Sequence, residues 1–202
     1  MMRIVVITPP CFVTGEAETI LRLLDGGIDR IHLRKPDAQE PDMRRLIESL
    51  PEECYPRLSL HDQHRLVVEY RLGGVHLNAR NPLQPEGFTG LVSRSCHSLD
   101  ELQACAATTD YRFLSPIFDS ISKSGYRSAF EEKTLHRAAE RGVIDARTFA
   151  LGGVEPERLP LLHDLGFGGA ALLGCIWRDT SEEGLRQTLY QIRKYKAIEK
   201  EK

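Results

Sequence analysis

A chain of 202 residues, 41% hydrophobic and 28% charged, is long enough to bury one substantial core and short for two. Its formal net charge of −2 offers no basic field for nucleic acid, and no apolar run approaches the roughly 18 residues that span a bilayer. Five cysteines, odd in number and without a C-x-x-C pair, argue against a disulfide framework or a structural zinc site. The opening apolar run, Ile4 to Ile7, is too short for a signal peptide and reads as a first strand, so a cytoplasmic single domain over 1–202 is expected.

In chain order, short apolar segments bounded by Gly, Pro or polar residues predict strands at Arg3–Thr8, Asp29–Arg34, Arg57–His61, Gly74–Leu77, Leu91–Cys96, Tyr111–Ser115, Thr148–Leu151 and Gly169–Leu173. Amphipathic stretches lie between them. Ala17, Ile20, Leu21 and Leu24 have helical spacing. So do Leu99, Leu102 and Ala106, with Ser98 as N-cap and Glu101 three residues on. Pro156 marks a first turn before Leu159, Leu162 and Leu165, and Gly166 marks the stop. A last helix runs from Glu182 to about Ala197, with Leu185, Leu189 and Ile192 inward. Pro82 and Pro85 leave little or no helix in the segment Asn81–Gly87. Strand–helix alternation through some 200 residues fits a compact (β/α)8 TIM barrel. A doubly wound sheet is the runner-up, but it would put a glycine-rich turn where this chain has Thr8-Pro9-Pro10-Cys11.

Four of the seven histidines stand at or beside strand ends, as Ile31-His32, Leu60-His61, Val75-His76 and Cys96-His97. In a barrel those ends form the active face. The expected rim is His32 and Arg34, His61 and Asp62, His76 with Asn78 and Asn81, then Ser95 and His97. Alternation along the strand puts His32 and Arg34 on one face. This set of imidazoles, amides, hydroxyls and one carboxylate suits a polar, anionic small molecule. Gly152-Gly153 and Gly174-Cys175 follow the last two strands, where barrels often bind phosphate through main-chain N–H groups. The same glycines could simply close tight turns. Asp119–Gly125 supplies Ser120, Ser122 and Lys123, a set able to fold over a diphosphate, although such runs are commonly plain solvated loops. His97 reads equally as a general acid/base or as a hydrogen-bonding group. His61-Asp62-Gln63-His64 falls short of a convergent zinc set, whereas Asp62 is a plausible carboxylate ligand for Mg²⁺. Nothing activates Cys96 as a nucleophile, and His136 and His163 read as surface residues on helices.

Taken in order, these residues resemble the thiamin phosphate synthase superfamily, which includes the TenI-type thiazole tautomerases. The carriers are Ile31-His32-Leu33-Arg34, Leu60-His61-Asp62, Gly74-Val75-His76-Leu77, Ser95-Cys96-His97-Ser98, Asp110-Tyr111 with Ser115-Pro116-Ile117-Phe118, Ser120-Ile121-Ser122-Lys123, Ala150-Leu151-Gly152-Gly153-Val154 and the Gly174 turn. The resemblance runs from Ile4 to about Trp177 and implies the same (β/α)8 barrel. It also implies a choice of reaction. A synthase joins hydroxymethylpyrimidine diphosphate to thiazole phosphate with Mg²⁺ assistance, releasing diphosphate. A tautomerase moves a proton on a thiazole carboxylate phosphate through a histidine, here His97, without metal.

By position, Arg34, Asp62, Ser120, Ser122 and Lys123 match the synthase's diphosphate and Mg²⁺ equipment, with Arg34, Lys123 and His97 the expected catalytic set. Gly152, Gly153, Gly174 and Cys175 match its thiazole phosphate site. Three departures stand out. His32-Leu33-Arg34-Lys35 replaces a Gln-x-Arg-x-Lys pattern, so Lys35 would have to supply the displaced cation. His61 replaces an Asn before Asp62, and neutral Asn81 aligns with a second metal-binding aspartate. Each lost charged contact is worth roughly 1.5–3 kcal/mol. A non-catalytic carrier of thiazole or thiamin phosphate is the third reading. Small phosphorylated substrates and a possible homo-oligomer complete the expectation.

Overall fold

The computed structural model describes the backbone of residues 1–118 and 130–200. Eight strands close into a barrel in sequence order, and every neighbouring pair is parallel, including the closing pair of first and last. They are β1 Arg3–Ile7, β2 Arg30–Leu33, β3 Leu58–Leu60, β4 Gly74–Leu77, β5 Leu91–Cys96, β6 Tyr111–Leu114, β7 Thr148–Ala150 and β8 Gly169–Leu172. The (β/α)8 expectation therefore holds, and all eight strands lie within about two residues of their predicted bounds. The second and third each lose one residue at either end; at the third, a 3-10 turn over Glu52–Arg57 absorbs Arg57, whose guanidinium donates to Leu24 O at 3.0 Å.

The helices are α1 Glu16–Asp25, α2 Glu40–Glu48, α3 Arg65–Glu69, α4 Leu99–Ala104, α5 Glu132–Glu140, α6 Leu159–Asp164, α7 Gly174–Trp177 and α8 Glu182–Lys200. As the prolines predict, no helix joins β4 to β5. Ser98 caps α4 by accepting from Glu101 N at 3.1 Å, while the Glu101 carboxylate takes His97 N at 2.7 Å, so the cap also fixes the end of β5.

Alternation along the strands separates two cores. Ile4, Val6, Ile31, Leu33, Leu60 and Val75 face outward onto the helices, joined by Ile20, Leu23, Leu159 and Leu185. Burying each such side chain contributes about 1.5–3 kcal/mol. Inside the barrel, β1 and β6–β8 supply an apolar half: Val5, Ile7, Tyr111, Phe113, Phe149 and Ala171. Gly169 makes room there, since a Cβ on it would stand 2.5 Å from the Phe149 ring. The other half, from β2–β5, is polar. Its inward residues include Arg30, His32, Ser59, His61, His76, Ser93 and Ser95. That asymmetry locates the site.

Candidate active site

The polar half is built in two levels. The deeper one is a layer of imidazoles: His32, His61 and His76 are 0%, 4% and 1% exposed. His32 joins His61 through Nδ1 and Nε2 at 2.9 Å and Tyr111 Oη through its own Nε2 at 2.7 Å. His76 pairs in register with Ser93, and its Nδ1 and Nε2 stand 2.9 Å from Ser93 Oγ and Ser95 Oγ. Ser93 donates to Val75 O at 3.1 Å, so it accepts from His76 Nδ1–H, and His76 Nε2 accepts from Ser95. Burial pushes His76 down to about 3. It holds His32 and His61 well below the ordinary imidazole value, and the neighbouring positive groups add to the effect. The layer is neutral near pH 7.

These three imidazoles bring candidate ligand atoms within 4.8 Å of one another. Both nitrogens of His32 and of His76, and Nε2 of His61, are nonetheless engaged with each other, with serine hydroxyls or with Tyr111, and the rings of His61 and His76 stack at 4.0 Å instead of converging. They form a hydrogen-bonded floor. This corrects the rim placement expected of His32 and His76: their inward strand positions put them below the mouth. Ser95 lies above them, half-buried, as their hydroxyl contact.

At the mouth, Asp62 follows β3 with a side chain only 9% exposed. Its Oδ1 accepts from Arg80 Nη2 at 2.8 Å, Arg80 Nε at 3.2 Å and Asn81 Nδ2 at 3.2 Å. Its Oδ2 is buried without a partner. Asn78 pins this corner by donating to His61 O at 2.7 Å and accepting from the amides of Arg80 and Asn81 at 2.9 and 3.0 Å. Asp62 and Asn81 thus come together as expected. A buried, unpartnered carboxylate oxygen beside a carboxamide fits a hard divalent cation that takes its remaining ligands from phosphate and water. His64 stands at the N-cap position of α3 without a side-chain cap bond; it is buried beside His61 and His76 but does not join the three imidazoles whose nitrogens come together.

Arg34 is half-buried beyond the end of β2, its amide donating to Thr8 Oγ1 at 2.9 Å. Lys35 does not join it. Alternation turns Lys35 to the opposite face, where its fully buried Nζ meets Glu16 Oε1 at 2.6 Å, Cys11 O at 2.8 Å and Pro9 O at 2.9 Å. The lysine ties down the loop between β1 and α1, so it cannot supply the displaced cation. His97 is exposed, and its Nδ1 lies 3.2 Å from Ser115 O. Ser115 Oγ stands 3.3 Å from the same nitrogen; the tautomer with its proton on Nδ1 donates to the Ser115 carbonyl and leaves the Nε2 lone pair open.

Gly152 and Gly153 follow β7 with φ of +94° and +63°, values that glycine adopts without strain. Gly174 is exposed at the start of α7. The side chain of Cys175 is buried in the outer core, with Sγ 3.6 Å from Val154 O, so the part of it that can face a ligand is its main chain. Ser120, Ser122 and Lys123 lie outside the described residues.

The sequence model of the thiamine monophosphate synthase family, TMP-TENI, matches residues 4–176. The chain belongs to that family. Among its relatives, the thiamine-phosphate synthase of Cronobacter sakazakii is 29% identical over 190 residues, covering 89% of this chain and 90% of that protein. The corresponding synthase of Salmonella typhimurium is 29% identical over 185 residues, covering 85% and 87%. The crystal structure of a thiamine phosphate pyrophosphorylase from Bacteroides thetaiotaomicron superposes with a TM-score of 0.88 at 34% identity, over 98% of this chain and 99% of that one. A pyrophosphorylase from Pyrococcus furiosus, 19% identical with a TM-score of 0.72, shares the fold over 96% and 94%.

Within this family barrel, Arg80 is the site residue that sequence reasoning overlooked. It lies in a Pro-containing loop without periodicity, between Asn78 and Asn81, whose amides read as rim residues while the arginine between them did not. The visible signal was a basic residue two positions after Asn78, where an Asx-type turn fixes the main chain.

Proposed function

We infer that this protein acts as a thiamine-phosphate synthase, joining hydroxymethylpyrimidine diphosphate to thiazole phosphate and releasing diphosphate. The observation that carries this reading is Asp62, a buried carboxylate at the barrel mouth with one oxygen unpartnered, in a chain whose relatives are thiamine-phosphate synthases. A proton shuttle on a thiazole has no use for such a group. In the reaction the bond between the pyrimidine methylene carbon and the diphosphate oxygen breaks, and its electron pair leaves with the oxygen. The thiazole nitrogen lone pair then forms the new carbon–nitrogen bond.

The chain's residues divide the work. Asp62 and the carboxamide of Asn81 would hold Mg²⁺. When bound, Mg²⁺ supplies charge neutralisation for the departing diphosphate. Arg34, with Ser120, Ser122 and Lys123, binds the diphosphate oxygens and keeps them oriented. The main-chain N–H groups at Gly152, Gly153, Gly174 and Cys175 hold the thiazole phosphate. His32, His61 and His76 keep the floor rigid and neutral, so no imidazolium competes for the phosphate charge. No described helix is long and apolar enough to cross a membrane. We propose a cytoplasmic enzyme of small phosphorylated substrates, with homo-oligomerisation open to measurement.

The test is thiamin phosphate formation from the two phosphorylated halves, with Mg²⁺ titrated and Asp62→Ala as control. Mg²⁺-dependent product that falls at least about a hundredfold in the control supports the synthase. His97, whose Nε2 lone pair is open in the tautomer that donates to the Ser115 carbonyl, favours the tautomerase as second reading. Proton exchange on thiazole carboxylate phosphate that is lost in His97→Ala, with no thiamin phosphate formed, would replace the first reading by the second. Saturable binding of thiazole phosphate without either product would identify a carrier.

A further inference from the structure

Asp62 is paired unevenly. Arg80 places two nitrogens on Oδ1, at 2.8 and 3.2 Å, Asn81 adds a third donor to the same oxygen, and Oδ2 receives none although it is buried. An arginine that serves only as a structural counter-ion gains most by spreading its fork over both oxygens. Here the fork grips one oxygen and leaves the other open.

The two partners also differ in access, since the Asp62 side chain is 9% exposed and that of Arg80 is 54% exposed. The root of Arg80 is fixed. Its amide is held by Asn78 Oδ1 at 2.9 Å, and Asn78 and Asn81 exchange main-chain bonds at 3.1 and 3.2 Å. Its guanidinium, in contrast, has Asp62 Oδ1 as its one acceptor among the described residues. It is a solvent-reaching cation on an anchored stem. Lys35, the cation expected to make good the altered β2 motif, is enclosed with Glu16 on the other face of its segment.

We propose that Arg80 is a diphosphate-binding residue that guards Asp62 until substrate arrives. In the empty site its guanidinium neutralises Asp62 and competes with a divalent cation for Oδ1. When a metal–diphosphate complex enters, the cation takes the carboxylate and the guanidinium turns to the phosphate oxygens. Asn81 is neutral, so Asp62 is the single carboxylate of this corner among the described residues. The Arg80 pairing therefore disfavours the bare metal and favours metal delivered with diphosphate. This assignment rests on the synthase reading and adds a residue and an order of binding to it.

The signature is a pair of effects with opposite sign, read by titration calorimetry on the full chain. The probes are Mn²⁺ alone and inorganic diphosphate in saturating Mg²⁺. Arg80→Gln should bind Mn²⁺ alone several-fold more tightly, because the competing charge is gone. It should bind diphosphate about tenfold more weakly, with Arg80→Lys recovering part of the loss. Arg65→Gln, which removes an exposed cation paired with Glu40, should leave both affinities unchanged. Unchanged diphosphate affinity in Arg80→Gln, or weakening of both probes together, overturns the assignment. Wild-type chain that makes no thiamin phosphate overturns the synthase reading, whereas the affinities of the Arg80 variants decide the diphosphate assignment independently of turnover.

Discussion

Acid should unfold this protein through its imidazole floor. His32, His61 and His76 are buried and neutral in the folded chain, His76 with a pKa of about 3 and the other two well below the ordinary value. In the unfolded chain each titrates near 6.5. Between these limits the unfolded state carries the protons and the folded state does not, so stability rises with pH. Equivalently, it is fully present above about pH 6.5 and drains away as pH falls towards the folded values. Each imidazole contributes a slope of about 1.4 kcal/mol per pH unit once pH is well below 6.5. From about pH 7 to about pH 5 the loss is about 2 kcal/mol for His76, and His32 and His61, lowered by the same burial, add to it with the same sign. Exposures of a few per cent leave little solvent screening to reduce it. Domains of this kind have only about 5–15 kcal/mol in total. Urea unfolding at several pH values across that interval measures the slope directly, and His76→Gln should lower it by about 1.4 kcal/mol per pH unit at its acid end. A free energy of unfolding that stays flat between about pH 7 and about pH 5 would refute the argument, as would an unchanged slope in the variant.

Two further outcomes follow from other parts of the structure. Lys35→Met should strand Glu16, which is 3% exposed and 2.6 Å from the lysine, and cost about 3–5 kcal/mol in thermal or urea unfolding. A loss below about 1 kcal/mol would mean that water reaches the carboxylate when the lysine is gone. Gly152→Ala places a Cβ 2.9 Å from Pro116 Cα at a φ of +94°, so it should cost about 1–2 kcal/mol of stability and weaken phosphate binding measured by calorimetry. Unaltered stability and affinity would show that this turn has slack.

The active end of the fold depends on two kinds of fixed charge. Lys35 is spent on structure, bonding the loop of Pro9, Cys11 and Glu16 to the end of β2, and that loop packs Phe12 4.9 Å from its Nζ. Arg34 and Arg80 are the cations left at the mouth, one half-buried and the other with a side chain 54% exposed. The histidines of the polar half are held neutral, so under the synthase reading proposed above the charge offered to phosphate comes from the mouth.

The amino-acid sequence by itself determined the barrel. Its eight short apolar segments, the Ser98 cap, the Pro156 start and the proline-broken stretch after β4 are local signals, written in periodicity and turn chemistry that act within a few residues. Family membership was legible too, because strand-end motifs keep their order along the chain. The bounds of α2, α3 and α5 are not legible in the sequence, although His136 reads as helical: α3 has only five residues, and charged residues dilute the periodicity of α2 and α5. Tertiary structure decided what the strand-end residues do. Alternation shows that His32 and Arg34 share a face and that Lys35 faces the other way, but closure of the barrel decides how deep each inward residue sits. His32 and His76 fell to the floor, and Asp62 stayed at the mouth. Cys175 turned into the outer core because a helix starts at Gly174. The Arg80–Asp62 pair joins residues 18 apart across two loops. No local pattern encodes that contact, since it exists only once β3 and β4 lie side by side.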